Sequence, residues 1–196
     1  MEEVKMNNRK VVKKLFLPSQ YEKEEQFLEA MSSQGWRLID VSNNLMTRYE
    51  FEKFEEKKLA YHIEYIPKDN EEKYIENIKK SSWSEATNVE GTYGKWHYYF
   101  SEKGLDDNLI INKSEKLDSL NRIILSYGDL YMLLLTIQII TISSCINCMQ
   151  YGTFRKYLSI GILIFSLLVS GVIIFDIIKL IASRNSLKKE MVQREI

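Results

Sequence analysis

Two uncharged runs near the end of the chain constrain it more than anything else in it. Residues 130–154 contain no Asp, Glu, Lys or Arg, and neither do residues 157–175. A helix needs about 20 mostly apolar residues, at about 1.5 Å of rise each, to cross a bilayer. Both runs are long enough, and core helices of soluble proteins rarely go so far without a charge. Residues 130–181 therefore read as a two-helix transmembrane hairpin with a short turn. Tyr127 and Tyr131 mark one end, and Tyr151, Phe154 and Tyr157 cluster at the turn, where interfacial aromatic belts belong. Arg155 and Lys156 lie in the turn, but Lys113, Lys116, Arg122, Lys179, Arg184, Lys188, Lys189 and Arg194 outnumber them on the flanks. The positive-inside rule then predicts a multi-pass cell-membrane protein with both termini in the cytoplasm.

The first run carries a polar face. Gln138, Thr141, Cys145 and Cys148 recur at intervals of three and four, and Ser159, Ser166 and Ser170 in the second share a face at intervals of seven and four. Small and polar side chains let membrane helices approach and hydrogen-bond, so Gln138, Thr141, Ser166 and Ser170 are the expected helix–helix packing residues. Cys145 and Cys148 are the chain's two cysteines. Redox pairs of this spacing normally open a helix, where the dipole lowers the thiol pKa. Inside a spanning helix, packing is the expected role and redox chemistry the alternative. Asp176 and Lys179, three apart, read as a headgroup-level pair rather than an ion pathway.

The front of the chain is of different composition. Up to Ser126 there are 20 Lys+Arg against 23 Asp+Glu; from Tyr127 onward there are 7 against 4. A mildly acidic front argues against nucleic acid as a partner, because phosphate binding needs a basic surface. The first strongly apolar segment begins near residue 130, so the front is expected to stay in the cytoplasm, with the first span as insertion signal. The expected organisation is a folded domain over residues 1–104, an amphipathic connector over 105–126, the hairpin over 127–182 and a charged tail over 183–196.

Within the front, residues 9–17 read as a strand stopped by Pro18. Ser19 and Glu22 form a capping box for a helix over about 20–34, closed by Gly35. Residues 36–42, 45–54 and 59–66 read as strands, the last two with clean alternation. Asp69 opens a helix over about 70–82. Residues 83–92 and 95–101 follow as strands around the turn at Gly91–Gly94. The order strand, helix, three strands, helix, two strands implies an α+β fold: a ferredoxin-like antiparallel sheet with two helices, followed by the hairpin. No internal repeat is visible, and the eight glycines form no phosphate-cradling loop.

No motif specifies a reaction. His62 and His97, the two histidines, sit on predicted strands without a nucleophile or a metal-ligand set beside them, so no enzyme activity, cofactor or metal is expected. Trp36, Tyr49, Tyr61, Trp96 and Tyr98 are candidates for an aromatic ligand- or partner-binding face; the competing reading places them in the core. Arg9, Lys10, Lys13 and Lys14 form a basic cluster on the first strand that either meets anionic lipid or is a solvated edge.

Several pieces resemble one family. Phe16-Leu17, Met31-Ser32-Ser33-Gln34-Gly35-Trp36, Tyr49-Glu50-Phe51-Glu52 followed by Tyr61, and Gly94-Lys95-Trp96-His97-Tyr98-Tyr99-Phe100 are similar in order and spacing to the DUF2812 family, over about residues 9–101. The resemblance implies a bacterial membrane protein of unknown function, some members being encoded beside PadR-like regulators, and it supplies no catalytic residues. The expected function is a membrane-anchored cytoplasmic sensing or protein-interaction module. The bilayer and a protein partner or second copy are its expected partners. The alternative is an accessory subunit of a membrane transporter.

Overall fold

The structure is a computed structural model and describes residues 8–43, 46–79, 81–102, 113–147 and 153–194. The chain divides into two compact units, Met1–Arg122 and Ile123–Ile196.

The first unit is α+β. Its elements are β1 (Arg9–Lys13), α1 (Tyr21–Ser33), β2 (Trp36–Asn43), β3 (Thr47–Lys53), β4 (Ala60–Pro67), α2 (Glu71–Lys79), β5 (Ser84–Glu90) and β6 (Gly94–Ser101). The six strands are shared between two antiparallel three-stranded sheets, ordered β1-β3-β2 and β4-β6-β5. The same βαββ topology therefore occurs twice in succession. In each copy a 3-10 turn led by proline or its neighbour precedes the helix (Pro18–Gln20 and Lys68–Asn70), and the second strand is bulged, between Leu38 and Asp40 and between Glu85 and Thr87. Trp36 and Trp83 stand at the start of, or just before, the second strand of each copy. The sequence hides this repeat because the two copies share topology and few residues.

α1 is amphipathic, burying Leu28 and Met31. Its exit is set by Gly35, whose φ of +79° is the left-handed conformation of a helix C-cap. Its entry differs from the capping-box expectation: a 3-10 turn comes first, the Leu17 N–H donates to Gln20 Oε1, and Gln20 is the N-cap. The main core joins α1 (Leu28, Met31) to β2 and β3 (Leu38, Val41, Tyr49, Phe51) and to the facing side of the second sheet (Tyr61, Ile63, Val89, Tyr98). α2 lies on the other side of that second sheet, over a smaller core of Ala60, Ile66, Tyr74, Ile78, Trp83 and Tyr99.

The second unit is helical. It holds α3 (Lys113–Asn147) from Ile123 onward and α4 (Thr153–Arg194); the two helices have 35 and 42 residues. At about 1.5 Å per residue they are roughly 50 and 60 Å long, against about 30 Å of hydrocarbon in a bilayer. Both are long and apolar enough to span a membrane, over 116–144 and 160–193. Residues 103–112 lie outside the described residues, and with them the first eight of the expected connector; its remainder, 113–126, is the start of α3.

Candidate functional site

In the α+β unit the polar side chains form a layer between α1 and the second sheet. Glu24, on the first turn of α1, is 8% exposed. Its Oε1 accepts from Tyr49 Oη at 2.7 Å and Tyr98 Oη at 2.9 Å, so one carboxylate ties together strands of both sheets. Burial raises its pKa above the usual carboxylate range, against the opposing effect of the two phenol donors. The next residue, Glu25, accepts from the backbone N–H of Ile63 at 2.8 Å, and Ser32 Oγ accepts from the N–H of Leu59 at 3.0 Å. β4 is the outer strand of its sheet, and these side chains satisfy ladder donors along its free edge.

His62 is held between two carboxylates, with Nδ1 3.2 Å from Glu25 and Nε2 3.3 Å from Glu64. Burial opposes its charge, yet the flanking carboxylates of Glu25 and Glu64 prevail and push its pKa up to about 9. At neutral pH it is an imidazolium and so has no free lone pair with which to act as a base. His97 is 1% exposed; its Nδ1 lies 2.8 Å from Glu85 and its Nε2 3.9 Å from Glu71. Its ring stacks on that of Tyr99 at 5.9 Å and 4°. In the β4–β6 register His62 faces Tyr99 and Glu64 faces His97, so the histidines are diagonal neighbours on one face. Among the described residues no group of three His, Cys, Asp or Glu side chains is arranged to hold a metal ion.

The aromatic candidates separate. Tyr49, Tyr61 and Tyr98 are 0, 2 and 4% exposed and belong to the core, so they form no open platform. Tyr61 Oη instead accepts the Leu38 N–H at 3.2 Å, next to the β2 bulge. Trp36 and Trp96 are half-buried: Trp36 lies under the ammonium groups of Lys10 and Lys53, and Trp96 packs 5.0 Å from Tyr65. Alternation alone could not reveal this, because both faces of the second sheet are covered. Glu24 and Glu25 escaped the sequence reading. A buried acid on an apolar helix face was the available signal, since Glu24 precedes Leu28 by four residues.

In the helical unit, Gln138 is 8% exposed and bridges the helices. Its Nε2 donates to the Ser166 carbonyl at 3.2 Å and to Ser170 Oγ at 2.6 Å. Ser166 Oγ donates to its own helix at Leu163 O. Thr141 Oγ1 does likewise, to Ile137 O at 2.8 Å, within its own helix. Ser166, Ser170, Ile173, Asp176 and Leu180 form one buried stripe on α4 at spacings of three and four. Asp176 is fully buried, whereas Lys179 is exposed with its ammonium 4.6 Å from the Phe175 ring. The side chains of Cys145 and Cys148 lie outside the described residues, so the redox alternative does too.

The chain matches the family described as "Protein of unknown function (DUF2812)" over residues 20–135. That is more than half of its 196 residues. The chain belongs to the DUF2812 family. The match takes in both βαββ copies from α1 onward and α3 as far as residue 135, so the α+β unit beyond β1 and the start of the apolar hairpin both fall within the DUF2812 match. No curated protein and no solved structure matches the chain.

Proposed function

We propose that this DUF2812 protein is a membrane-anchored sensing or interaction module, with a cytoplasmic α+β unit that binds a protein partner or an apolar ligand and performs no catalysis. The observation that carries the reading is the surface of the helical unit. Ile139, Ile140, Phe165 and Leu168 are 66, 65, 70 and 66% exposed. Only 11 and 22% of the two apolar windows is buried, which suits lipid-facing helices better than soluble core helices. The charge of the flanks supports termini on the cytoplasmic side. A non-catalytic role fits the state of the histidines, each engaged by carboxylates. A link to a PadR-like regulatory system belongs to the same proposal.

The transporter-subunit alternative relied on polar side chains of the first span reaching another subunit. Gln138 spends its amide donors inside the hairpin, which weighs against it. Affinity capture of the full chain from native membranes tests the choice. The interaction reading expects a companion whose capture survives Gln138→Leu and is lost on substitution of surface residues of the α+β unit. A companion lost with Gln138→Leu and indifferent to the α+β surface would favour the transporter reading.

A further inference from the structure

Among the described residues of Met1–Arg122, three large apolar side chains stand out into solvent: Val11, Leu15 and Met46, at 48, 61 and 46% exposed. They share one corner. β1 pairs with β3 so that Lys13 faces Arg48, and the Lys14 N–H donating to Thr47 O carries the ladder one step further. That register sets Leu15 beside Met46. Val11, Lys13 and Leu15 alternate onto the open face of the sheet, while Val12 on the other face packs against the core. β1 is an outer strand, so the corner is also a free sheet edge.

The charge of this corner is opposite to that of the front as a whole. Residues 9–17 carry Arg9, Lys10, Lys13 and Lys14 and no acid. Arg9 and Lys13 are exposed. Lys10 and Lys14 belong to the Val12 face and lie over Trp36 and Phe27, at 5.4 and 4.4 Å, which leaves Arg9 and Lys13 as the cations beside Val11 and Leu15. The neighbouring acids of β3 are already engaged, Glu50 by Arg48 and Glu52 by Arg37. Apolar side chains flanked by cations that form no ion pair among the described residues are the composition that seats on an anionic lipid surface: the cations meet the headgroups and the apolar groups enter the interface. A second copy of the same corner is disfavoured, since two edges of four positive charges would repel.

We propose that Val11, Leu15 and Met46, with Arg9 and Lys13 beside them, dock the α+β unit onto the headgroup layer of an anionic bilayer. The proposal rests on the membrane-anchored reading above. The test uses the full chain with Cys145→Ser and Cys148→Ser and a single fluorescent label at Leu15→Cys, or at Glu76→Cys on the exposed side of α2 as control. Each is reconstituted into vesicles of phosphatidylcholine, with or without phosphatidylglycerol, that carry a headgroup quencher. The expected result is quenching at position 15 that rises severalfold with phosphatidylglycerol, falls at high salt, and drops by about tenfold in preference on Arg9→Glu with Lys13→Glu, while position 76 stays unquenched. Equal quenching at position 15 in both lipids would overturn the proposal and leave the anchor intact. So would label-to-label transfer between copies at position 15. Failure of the chain to incorporate into either vesicle would overturn the anchored reading and the proposal with it. Unchanged tryptophan emission of the charge-reversed variant is the control for folding.

Discussion

Glu24 offers the sharpest perturbation. Glu24→Leu removes the acceptor shared by the Tyr49 and Tyr98 hydroxyls, which are 2.7 and 2.9 Å away in a site where both rings are nearly fully buried. Each stranded phenol donor costs about 1–3 kcal/mol, so a loss of about 2–5 kcal/mol is expected once relief from burying a carboxylate is set against it. Replacing all three groups should be milder than replacing the acid alone, because Phe at positions 49 and 98 leaves nothing to satisfy. Adding Tyr49→Phe and Tyr98→Phe to Glu24→Leu should recover about 2 kcal/mol. The sign with pH follows from the raised pKa of Glu24. The folded state binds the proton more tightly, so this group favours folding most below the ordinary glutamate range and loses that contribution as pH rises through the raised value. The gap between wild type and Glu24→Leu should therefore be widest at low pH. Urea unfolding of the full chain in detergent, followed by tryptophan fluorescence, reads the right unit, since Trp36, Trp83 and Trp96 all lie in it. If the three substitutions simply added, or the triple variant were the least stable, the shared-acceptor account would be refuted.

Four further outcomes follow from the geometry. The His62 imidazole, followed by NMR, should titrate near 9 and move down on Glu64→Gln; its contribution to stability is full below about 6.5 and lost as pH rises to about 9, and a midpoint near 6.5 would contradict the clamp. Gly94→Ala places a Cβ on the Ile66 carbonyl, 2.9 Å from its carbon and 3.0 Å from Pro67 Cα, so it should cost about 2–3 kcal/mol in the same urea assay. Gly171→Ala, with nothing within 4 Å, should cost nothing measurable. Gln138→Leu should weaken the hairpin by about 1–2 kcal/mol, read as earlier separation of labels on α3 and α4 during an SDS titration; an unchanged transition would remove Gln138 from the packing account.

Much of this was legible because local chemistry decides it. Alternation in β3 and β4, Gly35 after α1, and the uncharged runs each specify their element without help from distant residues, and the α+β class with its helical hairpin follows from their order. What local chemistry leaves open is partnership. The strand pattern does not say that β4 starts a new sheet instead of extending the first, because that choice is made by Glu25 and Ser32 of α1 satisfying the free edge of β4. The same gap explains the aromatic residues. Tyr49 and Tyr98 alternate as a platform would, and only the position of α1 between the sheets places both phenols on Glu24. His97 gave no sign of burial in sequence, since its contact with Glu85 depends on the β5–β6 register.

The most direct measurement of the central claim is fractionation of the full chain expressed without detergent, by high-speed centrifugation and then alkaline carbonate extraction. An α+β unit covalently held to a bilayer-spanning hairpin should sediment with the membranes and resist carbonate. Recovery of folded, monodisperse protein in the supernatant would show that the exposed apolar faces of α3 and α4 are covered by something other than lipid, and would contradict the account.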